Sequence, residues 1–191
     1  MKTYFVRHGQ SEYNVGLTDK FNSNVTPKGI EQATRAAMTL RDEITDPETY
    51  QGYTSPYVRC LQTARILQQR TGIKFKVVQE IGETPEEVHR NVSALVYRLE
   101  DLYPEFDWRH FPKASYDYGN ESDQAYLDRL NAFLKTLAGE TRNTLVCSHM
   151  TPTIHMIRAI CFNSGDEPLT INNCSITLIE DKKPIYIGKV P

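Results

Sequence analysis

The feature of this sequence that most restricts its fold is a repeated order of segments: a short apolar run, a polar turn, then an amphipathic stretch opened by Ser/Thr-Pro. The runs are Tyr4-Phe5-Val6, Gly52-Tyr53-Thr54, Phe75-Lys76-Val77-Val78 and Thr144-Leu145-Val146-Cys147. The openings are Thr26-Pro27, Ser55-Pro56, Thr84-Pro85 and Thr151-Pro152. A hydroxyl residue caps a helix by accepting from its free N–H groups, and proline fits the first helical position, where no N–H is needed. Behind these openings, apolar residues recur at helical spacing: Ile30, Ala33, Ala37, Leu40 and Ile44; Val58, Leu61, Ala64 and Leu67; Val88, Val92, Leu95, Leu99 and Leu102; Ile154, Ile157 and Ile160. Thr84-Pro85-Glu86-Glu87 fits a capping box, and Leu127, Leu130, Leu134 and Leu137 form one more helical face ending at Gly139. Alternating strands and helices predict an α/β fold: a three-layer, open, mostly parallel sheet with helices on both faces. Residues 175–179 and 184–187 predict a C-terminal antiparallel edge hairpin. The chain of 191 residues, 39% hydrophobic and 24% charged, is expected to form a single domain over residues 1–191.

In such sheets ligands bind at the carboxyl ends of the strands. Three of the predicted strands end in, or lead into, polar chemistry. Arg7-His8-Gly9 ends the first, Ser55-Pro56 and Arg59 follow the second, and Ser148-His149 ends the fourth. A guanidinium grips two oxygens of an anion in a fork, while an imidazole can face phosphorus. Each residue alone has an ordinary reading, His149 as a hydrogen-bonded core histidine and Arg59 as a solvated helix residue. Their common position at strand ends points instead to a dianion site. Net charge is −2, so phosphate must be attracted by cations focused in a pocket, and neither a nucleic acid polymer nor a membrane surface is an expected partner. No apolar run approaches a membrane span and no signal sequence is present, which predicts a cytoplasmic protein. Cys60, Cys147, Cys161 and Cys174 lack metal or disulfide spacing, so free thiols are expected, with no metal and no cofactor.

Residues 103–120 hold no period and contain Trp108, His110, Tyr116 and Tyr118. A loop of this length either lines a substrate pocket or is pinned by its own aromatic cluster. His89, His110 and His155 carry no functional expectation.

With these residues in place the chain resembles the histidine phosphatase superfamily, also called phosphoglycerate mutase-like. The likeness rests on Arg7-His8-Gly9 with Ser11 and Asn14, Thr26-Pro27-Lys28-Gly29 before Gln32-Ala33, Ser55-Pro56 with Arg59 and Gln62-Thr63-Ala64, Glu121-Ser122 before Arg129, Ser148-His149, and Asn173. The resemblance implies that His8 is the nucleophile, that Arg7, Arg59 and His149 bind the phosphoryl group, that Asn14 and Ser11 belong to the substrate side, and that a glutamate after the third strand donates a proton. Glu80 directly follows that strand and is the expected acid, with Glu83 its competitor. Met150-Thr151 stands where the family often has glycine. The implied activity is metal-independent phosphomonoester hydrolysis of a small phosphorylated metabolite through phosphohistidine. Phosphoglycerate mutase-type transfer and a catalytically idle phosphate-binding regulatory module are the alternatives. Oligomeric state is left open, a homodimer included.

Overall fold

The computed structural model describes residues 1–83, 99–111, 121–162 and 168–191. Its six strands are β1 (Lys2–Arg7), β2 (Tyr50–Thr54), β3 (Phe75–Val77), β4 (Asn143–Ser148), β5 (Ile176–Glu180) and β6 (Lys183–Lys189), forming one sheet in the order β3-β2-β4-β1-β5-β6. The first four strands run parallel; β5 is antiparallel to β1, and β6 to β5. The helices are α1 (Pro27–Glu43), α2 (Val58–Thr71), α3 (Leu99–Leu102), α4 (Asp123–Gly139) and α5 (Met150–Cys161). The expected mostly parallel α/β sheet with a C-terminal edge hairpin is what forms.

Alternation along the strands assigns the layers. Tyr4 and Val6 of β1 and Leu145 and Cys147 of β4 pack in one core with Ala33, Ala37 and Leu40 of α1 and Leu61, Ala64 and Leu67 of α2. Phe5 and Val146 point the other way, into a second core with Leu130 and Phe133 of α4 and Met156 and Ile157 of α5. Both faces of the central strands are thus covered, which is why these segments read as unbroken apolar runs.

Several details differ from the sequence reading. Thr26 caps α1, its hydroxyl accepting from the Gly29 N–H at 3.1 Å, as the dipeptide predicts. Ser55-Pro56 instead precedes α2 by a turn, and the helix starts at Val58 with Tyr57 as cap. Thr151-Pro152 lies inside the first turn of α5, whose cap is His149; proline is tolerated there because first-turn N–H groups have no partner to lose. Ile30 and Leu127 match their helical periods but are exposed. β2 begins two residues before the expected run and is buried along its whole length. The final hairpin turns through Asp181 and Lys182, both left-handed at φ 48° and 65°, the conformation of the tightest hairpin turn.

Residues 103–111 resolve half of the loop question. Tyr103, Phe106 and Phe111 are buried in the α1/α2-side core, with Trp108 packed against it. The segment also joins the sheet edge: the Asp107 N–H donates to Phe75 O and the Val77 N–H to Asp107 O, each at 2.9 Å. These aromatics anchor the loop. The other part of it, 112–120, lies outside the described residues, as does the expected helix with Val88, Val92 and Leu95. Cys60, Cys147 and Cys174 are buried free thiols, and Cys161 is a half-buried one.

Candidate active site

β1 and β4 pair in register up to Arg7 and Ser148, and the ladder runs one bond further, the His8 N–H donating to Ser148 O at 2.9 Å. The residues just past both strands, His8 and His149, therefore lie side by side, their ring centroids 5.1 Å apart. Gly9 is required by contact rather than by backbone angle. A Cβ there would come within 2.5 Å of Gly29 O, and one at Gly29 within 2.2 Å of Gln10 O, so two glycines let α1 close on the His8 loop. Around them, the Gly9 N–H donates to Thr63 Oγ1 and the Gln10 N–H to Gln32 Oε1. Threonine and glutamines that entered as family likeness thus hold the loop in place.

Arg59, in the first turn of α2, ties the site together. Its Nε donates to His8 Nε2 (3.1 Å), Nη1 to Phe21 O (2.6 Å) and Nη2 to His149 Nδ1 (3.1 Å). Its guanidinium lies between the rings of Phe21 and Tyr57, 4.9 and 4.7 Å from their centroids. Arginine can only donate, so these bonds fix both tautomers. His8 carries its proton on Nδ1, directed at Gly9 O (2.8 Å), leaving Nε2 with a bare lone pair; His149 carries its proton on Nε2, directed at Ser55 Oγ (2.8 Å). Burial, then Arg59 and Arg7, hold His8 well below the ordinary imidazole range, and burial with Arg59 does the same to His149. Both rings are neutral in the free protein. For His149 to meet a phosphoryl group as a cation, the bound anion must reverse this balance.

Arg7 is largely buried at the end of β1. Nη1 donates to Ile171 O at 2.8 Å and lies near Met150 Sδ, while the buried Nε has no hydrogen-bond partner among the described residues. Among the described residues the hydrogen-bond partners of Arg7 and Arg59 are carbonyls, imidazoles and a thioether. Two desolvated cations whose hydrogen-bond partners are neutral create a positive potential where the strands end, which the charge of Glu83 opposes. The N-terminus of α2 adds less than its sequence suggests. The Tyr57 N–H donates to Ser55 Oγ and the Val58 N–H to Asn22 Oδ1, so these donors are already used.

Asn14 lies at the rim, its Oδ1 accepting from the Ser11 N–H (3.1 Å) and from Asn173 Nδ2 (3.3 Å), while Asn173 also donates to His8 O. Ser11 is fully buried, and its hydroxyl accepts from the Asn14 N–H; it shapes the turn that presents Asn14. Of the two carboxylates after β3, the charge of Glu83 acts on both Arg7 and Arg59. Glu80 lies in the 3-10 turn Gln79–Ile81. Proximity to the cations thus favours Glu83, the competitor in the sequence reading. Among the described residues no group of three or more His, Cys, Asp or Glu is arranged to hold a metal ion, and no helix is long and apolar enough to cross a membrane. His110 is exposed, His155 is half-buried on α5, and His89 lies outside the described residues.

Tyr57 and Arg129 were not legible as site residues. Tyr57 packs edge-on against His149, with centroids 5.0 Å apart, and donates to Glu83 O at 3.1 Å. Its only sequence signal is its place between Ser55-Pro56 and Arg59.

Comparison with known proteins agrees with this geometry. The family model for the histidine phosphatase superfamily (branch 1) matches residues 3–183. A relative from Hydrogenobacter thermophilus, "Putative phosphoserine phosphatase 2", is 25% identical, covering 99% of this chain and 96% of its own. Among solved structures, the ecdysone phosphate phosphatase from Bombix mori in complex with tungstate superposes with TM-score 0.73 at 13% identity, over 100% of this chain and 93% of that one. Phosphoglycerate mutase from Bacillus anthracis does so with TM-score 0.67 at 18% identity, over 100% and 93%. At these identities the structures establish a shared fold.

Proposed function

The chain belongs to the histidine phosphatase superfamily as a phosphatase enzyme, and from that premise we propose that it hydrolyses a small phosphomonoester without metal, through a phosphohistidine on His8. The observation that carries this reading is the bare Nε2 of a neutral, buried His8, held by Arg59 beside a second, largely buried cation, Arg7, whose Nε has no hydrogen-bond partner among the described residues. A phosphate dianion entering the site takes over the Arg59 N–H groups and the unpartnered Nε of Arg7. That frees the Nε2 lone pair to attack. The N–P bond forms as the ester P–O bond breaks, and the departing oxygen takes a proton from a carboxylic acid. Charge on the phosphoryl oxygens is met by Arg7, Arg59 and His149, which the dianion favours in its protonated form. Water then attacks phosphorus, the N–P bond breaks, and the carboxylate takes the proton back from water.

Charge favours Glu83 as this acid, because it acts on both Arg7 and Arg59; Glu80 keeps its claim from following β3 directly. Asn14 sits where it can meet the substrate, and Ser11 supports it. The substrate is a small phosphorylated metabolite, phosphoserine being one to test because of the relative's name.

The test is hydrolysis of p-nitrophenyl phosphate and a panel of metabolite phosphates in excess chelator. Release of inorganic phosphate at undiminished rate supports the proposal. Loss of activity restored by magnesium or zinc overturns its metal independence, and phosphate moved between two metabolites without net release selects the mutase reading.

A further inference from the structure

We infer that Arg129 is a positioning residue that sets the proton donor by holding the backbone from which it projects; the inference rests on the phosphatase reading above. After β3 the chain leaves the ladder, and four successive carbonyls accept from side chains of other elements. Arg129 Nη1 donates to Glu80 O (2.6 Å) and Gly82 O (2.8 Å), Ser148 Oγ to Ile81 O (2.7 Å), and Tyr57 Oη to Glu83 O (3.1 Å). Two of these donors, Ser148 and Tyr57, adjoin His149, so the turn is indexed directly to the phosphoryl site.

Arg129 comes from α4 on the far side, and it is itself fixed. Nε and Nη2 form a two-point fork with Glu121 Oε1 and Oε2 at 2.6 and 2.8 Å, and its guanidinium lies 4.8 Å from the Tyr126 ring centroid. Both side chains of the pair are almost fully buried, at 6% and 1% exposure. A buried ion pair contributes little net stability compared with apolar residues of the same volume. What this one supplies is a rigid donor aimed at two carbonyls two residues apart, a geometry that lysine cannot reproduce. Both candidate acids, Glu80 and Glu83, stand on the clamped segment, so the inference does not depend on which of them transfers the proton.

The experiment compares the first-step rate, alcohol or phenol release before steady state, on p-nitrophenyl phosphate and on glycerol phosphate. Arg129→Lys is the first variant. The double variant Arg129→Met with Glu121→Met is the second, because it removes both charges together and keeps the core filled where Arg129→Ala alone would strand a buried carboxylate. If the clamp places the acid, glycerol release slows by about 10²-fold while release of the acidic phenol changes by less than about threefold, since only the poor leaving group needs the proton. The alkaline limb of the pH profile for glycerol phosphate also flattens. Equal losses on both esters, or no loss on either, overturn the inference. A wild-type protein that hydrolyses neither ester overturns the phosphatase reading itself, and the acid's placement with it.

Discussion

Replacing Arg59 with methionine should cost activity far more than stability. The substitution removes the Arg59 donor from three acceptors, Phe21 O, His8 Nε2 and His149 Nδ1, at about 1 kcal/mol each, or ~3 kcal/mol in all. Against this stands the desolvation of a fully buried guanidinium with no carboxylate hydrogen-bonded to it among the described residues, a penalty of several kcal/mol that disappears with the charge. The thioether also suits the slot between the Phe21 and Tyr57 rings. The terms nearly cancel, so stability should move by less than about 2 kcal/mol, equivalent to about 8 °C or less in Tm for a chain of this size. Catalysis loses a cation that grips the transferred group, which costs about 10²–10³ in rate. Thermal melts and p-nitrophenyl phosphate hydrolysis on the same preparation read both quantities. Phosphate or vanadate should raise the Tm of the wild type and leave Arg59→Met unmoved. Activity near wild type in Arg59→Met would refute the reasoning, and so would a melt so depressed that the loss of rate tracks the loss of folded protein.

Further expectations follow from the same geometry. His8 and His149 have folded pKa values depressed below the ordinary imidazole value of 6.5, so the unfolded chain binds more protons just below that pH. Stability should be intact above pH 6.5 and fall as pH drops toward the folded values, with a limiting slope of about 1.4 kcal/mol per pH unit for each ring. His8→Asn should roughly halve the slope of Tm against pH between 6.5 and 5, and an unchanged slope would show that His8 is not held neutral by the fold. Glu83→Gln should slow release of alkyl alcohols by about 10²-fold or more with little effect on an acidic phenol; that signature in Glu80→Gln alone would return the acid role to Glu80. Gly9→Ala forces a Cβ to within 2.5 Å of Gly29 O and should cost about 1–3 kcal/mol in denaturant melts, whereas an unperturbed midpoint would mean that α1 can retreat freely.

Much of this was readable in the sequence because it is local. Apolar runs of four residues, proline after a hydroxyl residue, and glycine at helix ends act over a few positions, and they locate β1, β4, α1 and the end of α2. The convergence of Arg7-His8, Arg59 and Ser148-His149 was readable one step further on, because a parallel sheet brings every strand's carboxyl end to one side. What escaped depends on contacts between distant segments. Asp107 adding to the edge of β3, Arg129 reaching Gly82 from α4, and Tyr57 reaching Glu83 leave no periodic trace. The need for glycine at position 9 is hidden for a similar reason: its missing side chain makes room for Gly29, a neighbour 20 residues away. The preference for Glu80 over Glu83 rested on distance from the strand end, which carries no information on the charge that Glu83 brings to bear on Arg7 and Arg59.

The central claim is that the phosphoryl group passes through His8, and trapping the intermediate tests it most directly. A phosphoramidate is stable in alkali and labile in acid. A radiolabelled, slowly turned-over phosphomonoester, quenched in base and digested, should leave label on the peptide containing His8. The label should be lost on acidification, absent in His8→Ala, and formed more slowly by about 10²-fold or more in Arg59→Met. Label at the wild-type rate in His8→Ala, or phosphate release by wild type with no alkali-stable label under any quench, would contradict the account.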